Sequence, residues 1–331
     1  MTLGKYQIIL FYKYIHINDP EAVKNWQIEI CARLGLKGRC IVATEGINAT
    51  FEGTEDNINQ YIKELQNDNR FLGIHFKLSF GNGNSFPKLS VKVRKEIVSL
   101  HLGACDINPN EITGIHLKPE ELHSWFMNKN KKPARNASSI ADAGGEFYII
   151  DMRNAYEHKV GHFENSILPP IENFRDLPKV VEKIAHLKNK TVLTVCTGGV
   201  RCEKASGFLI TQGFTDVYQL DGGIVSYMEK YPNEDFQGKL YVFDGRITMG
   251  PPRLGEAGFY TDNVEHKIIG KCDACKGESE NYINCANPVC HRHFIICVNC
   301  LKESEGKAFC PGGCVLSRHG RKISPVEVNL I

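Results

Sequence analysis

The first hundred residues switch between two hydrophobic periods. Tyr6-Gln7-Ile8-Ile9-Leu10-Phe11-Tyr12 is an apolar, β-branched and aromatic run that reads as a strand. Asp19-Pro20-Glu21 marks a helix start, with Asp19 as N-cap and Pro20 at the first helical position; the helix runs to Leu34 and Gly35 ends it. Residues 38–42 and 48–51 read as two strands around Thr44-Glu45-Gly46-Ile47. A second helix, capped by Thr54, extends to about Asn67, and residues 75–80 and 89–100 close the region as strands. This βαββαβ order with one further strand predicts a ferredoxin-like α+β domain over residues 1–102.

Residues 103–114 form a Pro- and Asn-bearing connector, and beyond it short apolar runs alternate with helical patterns. Lys118-Pro119-Glu120 opens a helix, and residues 129–146, with Lys129, Lys131, Lys132 and Arg135, read as a solvated loop without assigned chemistry. Phe147-Tyr148-Ile149-Ile150-Asp151 is a buried strand ending in an acid, and residues 178–187 are helical in pattern. Val192, Leu193 and Val195 mark a short strand that stops at Cys196, and a helix follows through Lys204, Ala205, Phe208, Leu209 and Ile210. A strand at 217–220 and a helix at 224–231 complete the set. Strands alternating with helices imply an α/β domain with a parallel sheet over residues 112–237, its active groups at the strands' C-terminal ends. Residues 238–331 form a small Cys-rich third region.

A chain of 331 residues, 42% hydrophobic and 24% charged, has material for several cores. No run approaches the roughly 18 apolar residues of a membrane span. The start, Met-Thr-Leu-Gly-Lys-Tyr-Gln, lacks the charged-then-apolar pattern of a secretory signal, so 13 cysteines point to reduced thiols in a cytoplasmic protein. A net charge of +2 excludes a charge-driven, non-specific nucleic-acid binder and leaves that role to local patches. One candidate patch is the strand through Lys88, Ser90, Lys92 and Arg94, which share one face opposite Leu89, Val91 and Val93. A basic side chain every roughly 7 Å suits a phosphate backbone, and equally suits a solvated sheet face.

The sharpest chemical signal is Cys196-Thr197-Gly198-Gly199-Val200-Arg201-Cys202. A cysteine at a strand's end, before Gly-Gly and a helix N-terminus, sits among inward-pointing N–H groups. Those groups and Arg201 favour the thiolate, the nucleophilic form. Eight more cysteines form the pairs Cys272/Cys275, Cys285/Cys290, Cys297/Cys300 and Cys310/Cys314, with His291 and His293 among them. Two-residue spacing suits tetrahedral zinc, and four pairs suffice for two structural sites, interleaved so that the first and third pairs share one metal. A disulfide or reduced thiol cluster is the alternative. Ser317-Arg318-His319-Gly320-Arg321-Lys322 is a small basic tail that either touches RNA or is solvated.

Asp151-x-Arg153, Glu157, Gly161-His162, Cys196-x-x-Gly199-x-Arg201 and Leu220-x-Gly222-Gly223 together resemble a rhodanese domain over residues 112–237. The resemblance implies that Cys196 carries sulfur as a persulfide, within a loop formed by Thr197, Gly198, Gly199, Val200 and Arg201. Cys-x4-Arg is the loop of the sulfur carriers, one residue shorter than the Cys-x5-Arg ring of related phosphatases. Asp151, Arg153, Glu157 and His162 read as structural groups that cap turns and pair with one another. Cys202 either resolves a persulfide or packs at the helix start, the latter favoured.

With Gly38-Arg39, Glu45-Gly46-Ile47-Asn48 and Val242-Phe243-Asp244-Gly245-Arg246 added, nearly the whole chain resembles the bacterial rhodanese-like tRNA uridine hydroxylases. Gly245 departs from the larger residue expected there. This resemblance implies formation of 5-hydroxyuridine at wobble position 34, with tRNA as partner and molecular oxygen as co-substrate. It makes Cys196 the nucleophile or persulfide beside Arg201, with Arg39, Lys88, Lys92 and Arg94 as RNA contacts. No Gly-x-Gly-x-x-Gly and no His-carboxylate iron triad is visible, so neither a flavin nor a nicotinamide site is expected. The alternatives are a persulfide sulfurtransferase and an RNA-binding module with a scaffold rhodanese block.

Overall fold

The computed structural model describes residues 6–128, 146–252, 265–290, 292–311 and 314. The lysine-bearing loop at 129–145, His291 and the basic tail at 317–322 lie outside the described residues.

The N-terminal domain is built from β1 (Tyr6–Tyr14), α1 (Pro20–Arg33), β2 (Lys37–Ala43), β3 (Gly46–Thr54), α2 (Glu55–Gln66), β4 (Lys77–Gly81) and β5 (Leu89–Val93). Both expected caps are present: Asp19 accepts from Ala22 N–H at 3.0 Å and Thr54 from Asn57 N–H at 3.4 Å. The sheet order is β4-β1-β3-β2-β5, antiparallel except for β5, which runs parallel to β2. Ile9 and Phe11 of β1 pack with Val42, Phe51 and the helices, and the alternate residues Leu10 and Tyr12 face the other way. That second face is covered by the next domain.

The last strand is shorter than its sequence suggests, ending at Val93 rather than Leu100. Past Arg94, whose N–H still reaches the Val42 carbonyl, carboxylates replace a strand partner. Glu45 accepts from Ile97 N–H at 2.6 Å and Glu96 from Leu100 N–H at 2.8 Å. Ile97 packs with Tyr14 and Ala43, whereas Leu100 enters the core of the second domain, so one alternating pattern could not serve both.

The second domain comprises β6 (Ile115–Leu117), α3 (Pro119–Asn128), β7 (Phe147–Asp151), β8 (Gly161–Phe163), α4 (Leu177–Val180), β9 (Thr191–Val195), α5 (Val200–Thr211), β10 (Asp216–Leu220) and α6 (Gly223–Lys230). Its sheet, β6-β10-β9-β7, is parallel throughout, and every residue of β9 is buried. The helical pattern at 178–187 forms one α turn continued as 3-10 helix.

The chain continues through β11 (Phe236–Gly238), paired with β8, and the hairpin of β12 (Leu240–Tyr241) and β13 (Thr248–Met249). Leu240, Val242 and Met249 belong to the same core as Leu193 and Ile224. The hairpin's tip is clamped to the first domain. Arg246 pairs with Asp244 and donates to Ser79 Oγ and the Phe80 carbonyl at 2.9 and 3.0 Å. Gly245 N–H donates to the Ser85 carbonyl at 2.7 Å, and a Cβ at Gly245 would lie 3.1 Å from that oxygen. The tight fit accounts for a small residue here. The Cys-rich region adds β14 (Tyr282–Asn284), β15 (His293–Ile295) and α7 (Val298–Glu303), and its core is largely sulfur.

Candidate active site

Cys196 directly follows β9, and Gly199 directly precedes α5. Gly199 N–H donates to Cys196 Sγ at 3.2 Å, and Gly199 adopts φ +101°, a region costly for other residues. The loop is held from below by the first turn of α6. Ile224 N–H donates to the Cys196 carbonyl at 2.9 Å and Val225 N–H to the Thr197 carbonyl at 3.0 Å. Gly223 has φ +74°, and a Cβ there would lie 2.6 to 2.7 Å from Gly199 N, Cys196 O and Gly198 C. This close approach is the physical reason for the Gly222-Gly223 pair.

Arg201 is buried, and its guanidinium meets the Glu157 carboxylate at 2.5 and 2.8 Å and Thr197 Oγ1 at 3.2 Å. Glu157 therefore pairs with the loop arginine, not with the other charged residues read alongside it. Asp151 and Arg153 do pair with each other, at 2.6 Å, and Arg153 also holds the Gly161 carbonyl. Burial alone would raise the Cys196 thiol. The Cys202 side chain, the Arg201 charge and the N–H groups of Cys202 and Arg201 outweigh burial and lower it from 9.0 to about 6. Cys202, fully buried, is raised by burial and by the Cys196 sulfur, so it remains a thiol and a donor. Cys196 is accordingly a thiolate at neutral pH.

The loop opens into a cavity of about 380 Å³ with mostly apolar walls. Cys196, Thr197, Gly198, Val200 and Arg201 form its floor; Leu10, Ile41 and Lys77 of the first domain and Phe243 of the hairpin close it above. Docking of the first domain is specific. Tyr12 Oη donates to Glu203 Oε1 at 3.0 Å and Tyr14 Oη to the Val200 carbonyl at 3.1 Å. The fully buried side chain of Lys204 meets Glu45, Glu96 and Asp106 at 2.8, 3.1 and 2.6 Å.

A larger cleft of about 1,000 Å³ adjoins this cavity and shares Arg39 and Phe243 with it. Tyr156, Tyr241, Arg292 and His293 also line it. Lys88, Lys92 and Arg94 are exposed, and pairing of Lys92 with Ile41 places it on the sheet face that roofs Cys196. None of Arg39, Lys88, Lys92 and Arg94 is in an ion pair among the described residues.

The eight remaining C-terminal cysteines gather in two clusters, Cys272, Cys275, Cys297 and Cys300, and Cys285, Cys290, Cys310 and Cys314. The first and third pairs thus share a site, as do the second and fourth. Within each cluster all sulfurs lie within 4.8 Å of one another, with close approaches of 3.7 Å (Cys275–Cys297) and 3.6 Å (Cys285–Cys314, Cys290–Cys310). Tetrahedral Zn–S bonds of about 2.3 Å have edges near 3.8 Å, so the geometry fits. Every cysteine is free of disulfides. His293 is not in either cluster; its Nδ1 meets Tyr241 Oη at 2.9 Å. Either cluster could bind a metal ion.

Residues 6–97 match the UPF0176 acylphosphatase like domain family, 133–230 the Rhodanese-like domain family and 237–315 the Rhodanase C-terminal family. The chain is 41% identical to the tRNA uridine(34) hydroxylase of Cytophaga hutchinsonii over 91% of its own length and 88% of the relative's. Against the proteins of that name from Bacillus licheniformis and Pseudarthrobacter chlorophenolicus identity is 40%, covering 91% and 93% of this chain and 85% and 98% of theirs. The chain belongs to the tRNA uridine(34) hydroxylase family.

In this member of the tRNA uridine(34) hydroxylase family, several residues at the site were not singled out from sequence. Tyr12, Glu203 and Lys204 join the domains. Glu157, read from sequence as a structural group, neutralises Arg201. Lys77 enters the cavity wall 6% exposed, with its ammonium 5.0 Å from the Tyr12 ring centroid. The signal for them was β1 itself. An apolar run on both strand faces, Ile8 to Phe11, indicates a sheet covered on both sides.

Proposed function

We propose that this chain hydroxylates C5 of uridine 34 in tRNA with molecular oxygen, Cys196 acting as nucleophile. The observation that carries the reading is a lowered thiol on the floor of a half-open, mostly apolar cavity of about 380 Å³, within the range of small-ligand sites. A wobble base is single-stranded and can be splayed into such a cavity without opening a duplex. The Cys196 sulfur adds to C6 of uracil, and the C5=C6 electrons pass through C4 to O4, leaving C5 electron-rich. Oxygen then reacts at C5. One oxygen atom stays as the hydroxyl and the other leaves as water, using two electrons from a thiol-class reductant. Loss of the C5 proton and of the sulfur from C6 restores the ring.

Arg201 contributes as a buried charge held in place by Glu157, and the loop N–H groups stabilise the sulfur anion. Arg39 at the mouth, the row Lys88, Lys92 and Arg94, and the aromatic-lined cleft offer backbone and stacking contacts to the flanking nucleotides. The two cysteine clusters would hold structural zinc, four thiolates to each ion leaving no open position for chemistry. No helix among the described residues is long and apolar enough to cross a membrane. Acting on tRNA, the proposed enzyme would work in the cytoplasm.

The test is isotope origin. Purified protein with unmodified tRNA, a dithiol and ¹⁸O₂ is expected to place label in 5-hydroxyuridine. Label arriving from water instead overturns the proposal. The six-residue loop also favours a second reading, persulfide transfer to a thiol acceptor. Turnover of thiosulfate and cyanide at rhodanese rates, with tRNA left unaltered, would establish that reading.

A further inference from the structure

Lys77 is placed in the cavity by strand register. It pairs with Leu10 across β4 and β1, and Leu10 lies against the active loop: a Cβ at Gly198 would be 2.7 Å from Leu10 Cδ2. Tyr12, whose ring lies 5.0 Å from the Lys77 ammonium, presses its hydroxyl against Gly199 in the same way. The lysine thus lines the same cavity as the Cys196 loop, beside Leu10.

Its side chain is buried, and its ammonium, which keeps some accessible surface, has no carboxylate or carbonyl partner among the described residues. Several other polar groups around the cavity are committed, whereas Arg39 is in no ion pair and Asn154 Oδ1 has no hydrogen-bond partner among the described residues. Arg201 is held by Glu157, Arg246 by Asp244 and the edge of β4, and Asn48 donates to the Ile97 carbonyl at 3.2 Å. An ammonium on a buried side chain, with unused protons and access to the cavity, is set to donate to an acceptor placed there, and the cavity is where a base would lie.

We propose that Lys77 is a catalytic residue whose ammonium donates to O4 of the target uracil and holds the negative charge that O4 gains when Cys196 adds to C6. This deepens the hydroxylase reading and rests on it. The step balances without a further reagent. The sulfur lone pair forms the S–C6 bond, the C5=C6 pair moves to C4–C5, and the C4=O4 pair becomes an oxyanion hydrogen-bonded to Lys77. When C5 reacts with oxygen the charge leaves O4 and the carbonyl returns. The same donor selects against cytidine, which presents an amino group in place of O4 and would leave both donors facing each other.

Burial lowers Lys77 from 10.5 to about 8, against the opposing pull of Asp221, Cys196 and Glu203. His75 and Tyr12 also face it. The ammonium form therefore dominates at neutral pH and is lost above about 8, which predicts a basic limb in the rate profile.

The test uses the full chain as Lys77→Met and Lys77→Arg, assayed on tRNA bearing uridine 34 with oxygen and a dithiol. Met is expected to lower kcat about 100-fold or more with KM within about threefold, and to abolish the basic limb. Arg is expected to recover part of the rate and move the limb to higher pH. Alkylation of Cys196 by iodoacetamide should stay within about threefold of wild type in both, which shows an intact loop. A Met variant with near wild-type kcat overturns the proposal, as does equal loss in Met and Arg accompanied by loss of Cys196 reactivity. Cys196→Ala separates the two ideas. Inactive Cys196→Ala beside active Lys77→Met removes only the role of Lys77, whereas active Cys196→Ala removes the thiol-addition reading itself.

Discussion

The loop at Cys196 and the Cys-rich region contain the same side chain in opposite circumstances. At the loop the Cys196 sulfur accepts from Gly199 N–H and the Cys202 thiol, sits beside a neutralised arginine and faces an apolar cavity. In the C-terminal region two sets of four sulfurs face one another, with approaches of 3.6 to 3.7 Å. What surrounds the sulfur differs: donors around one atom favour a thiolate, and convergence of four gives a cluster that could bind a metal ion.

The largest effect that separates the two regions is metal loss. Two zinc ions per chain are expected by mass spectrometry, and Cys272→Ser should leave one, with residues 265–314 becoming protease-sensitive and Cys196 alkylation unchanged. Structural zinc supplies on the order of 10 kcal/mol to such a region, so a stable apo form would break the comparison.

Next in size is Glu157→Gln, which strands the Arg201 charge in the interior and should cost about 3–5 kcal/mol in urea unfolding. With its counter-charge gone Arg201 draws the Cys196 thiol lower still, which a pH titration of alkylation would detect. Lys204→Met removes the shared partner of Glu45, Glu96 and Asp106 and should cost about 3 kcal/mol, read as independent melting of the first domain.

The smallest effect is expected from Cys202→Ala. Removing a donor to the thiolate raises the Cys196 thiol from about 6, so the reactive fraction falls on the acid side. Alkylation should slow about fivefold at pH 6 and be unchanged at pH 9, where the thiolate is complete either way. A wild-type rate at pH 6 would show that Cys202 only fills space.

Much of this was legible along the chain because it is local. Asp19 and Thr54 cap helices within three residues, and the Cys196 loop is a strand, a turn and a helix start in direct succession. The cysteine pairs announce themselves by spacing, and the structure shows which pairs meet. What escaped is non-local. Lys77 alternates with apolar neighbours in a strand, the usual pattern of a solvated face, and becomes buried only because a second domain lies on that face. Glu203 and Lys204 sit in a helix start with partners as distant as Tyr12 and Asp106, 191 and 98 residues away. Strand β5 stops early because Glu45 and Glu96 supply acceptors that no periodicity reveals.

The most direct measurement of the central claim is nucleoside analysis of tRNA from cells whose only copy of this chain carries Cys196→Ala. 5-Hydroxyuridine at position 34 is expected to vanish while Cys272→Ser cells, grown in parallel, report separately on the metal region. Undiminished 5-hydroxyuridine in the Cys196→Ala cells would contradict a nucleophilic role for this sulfur.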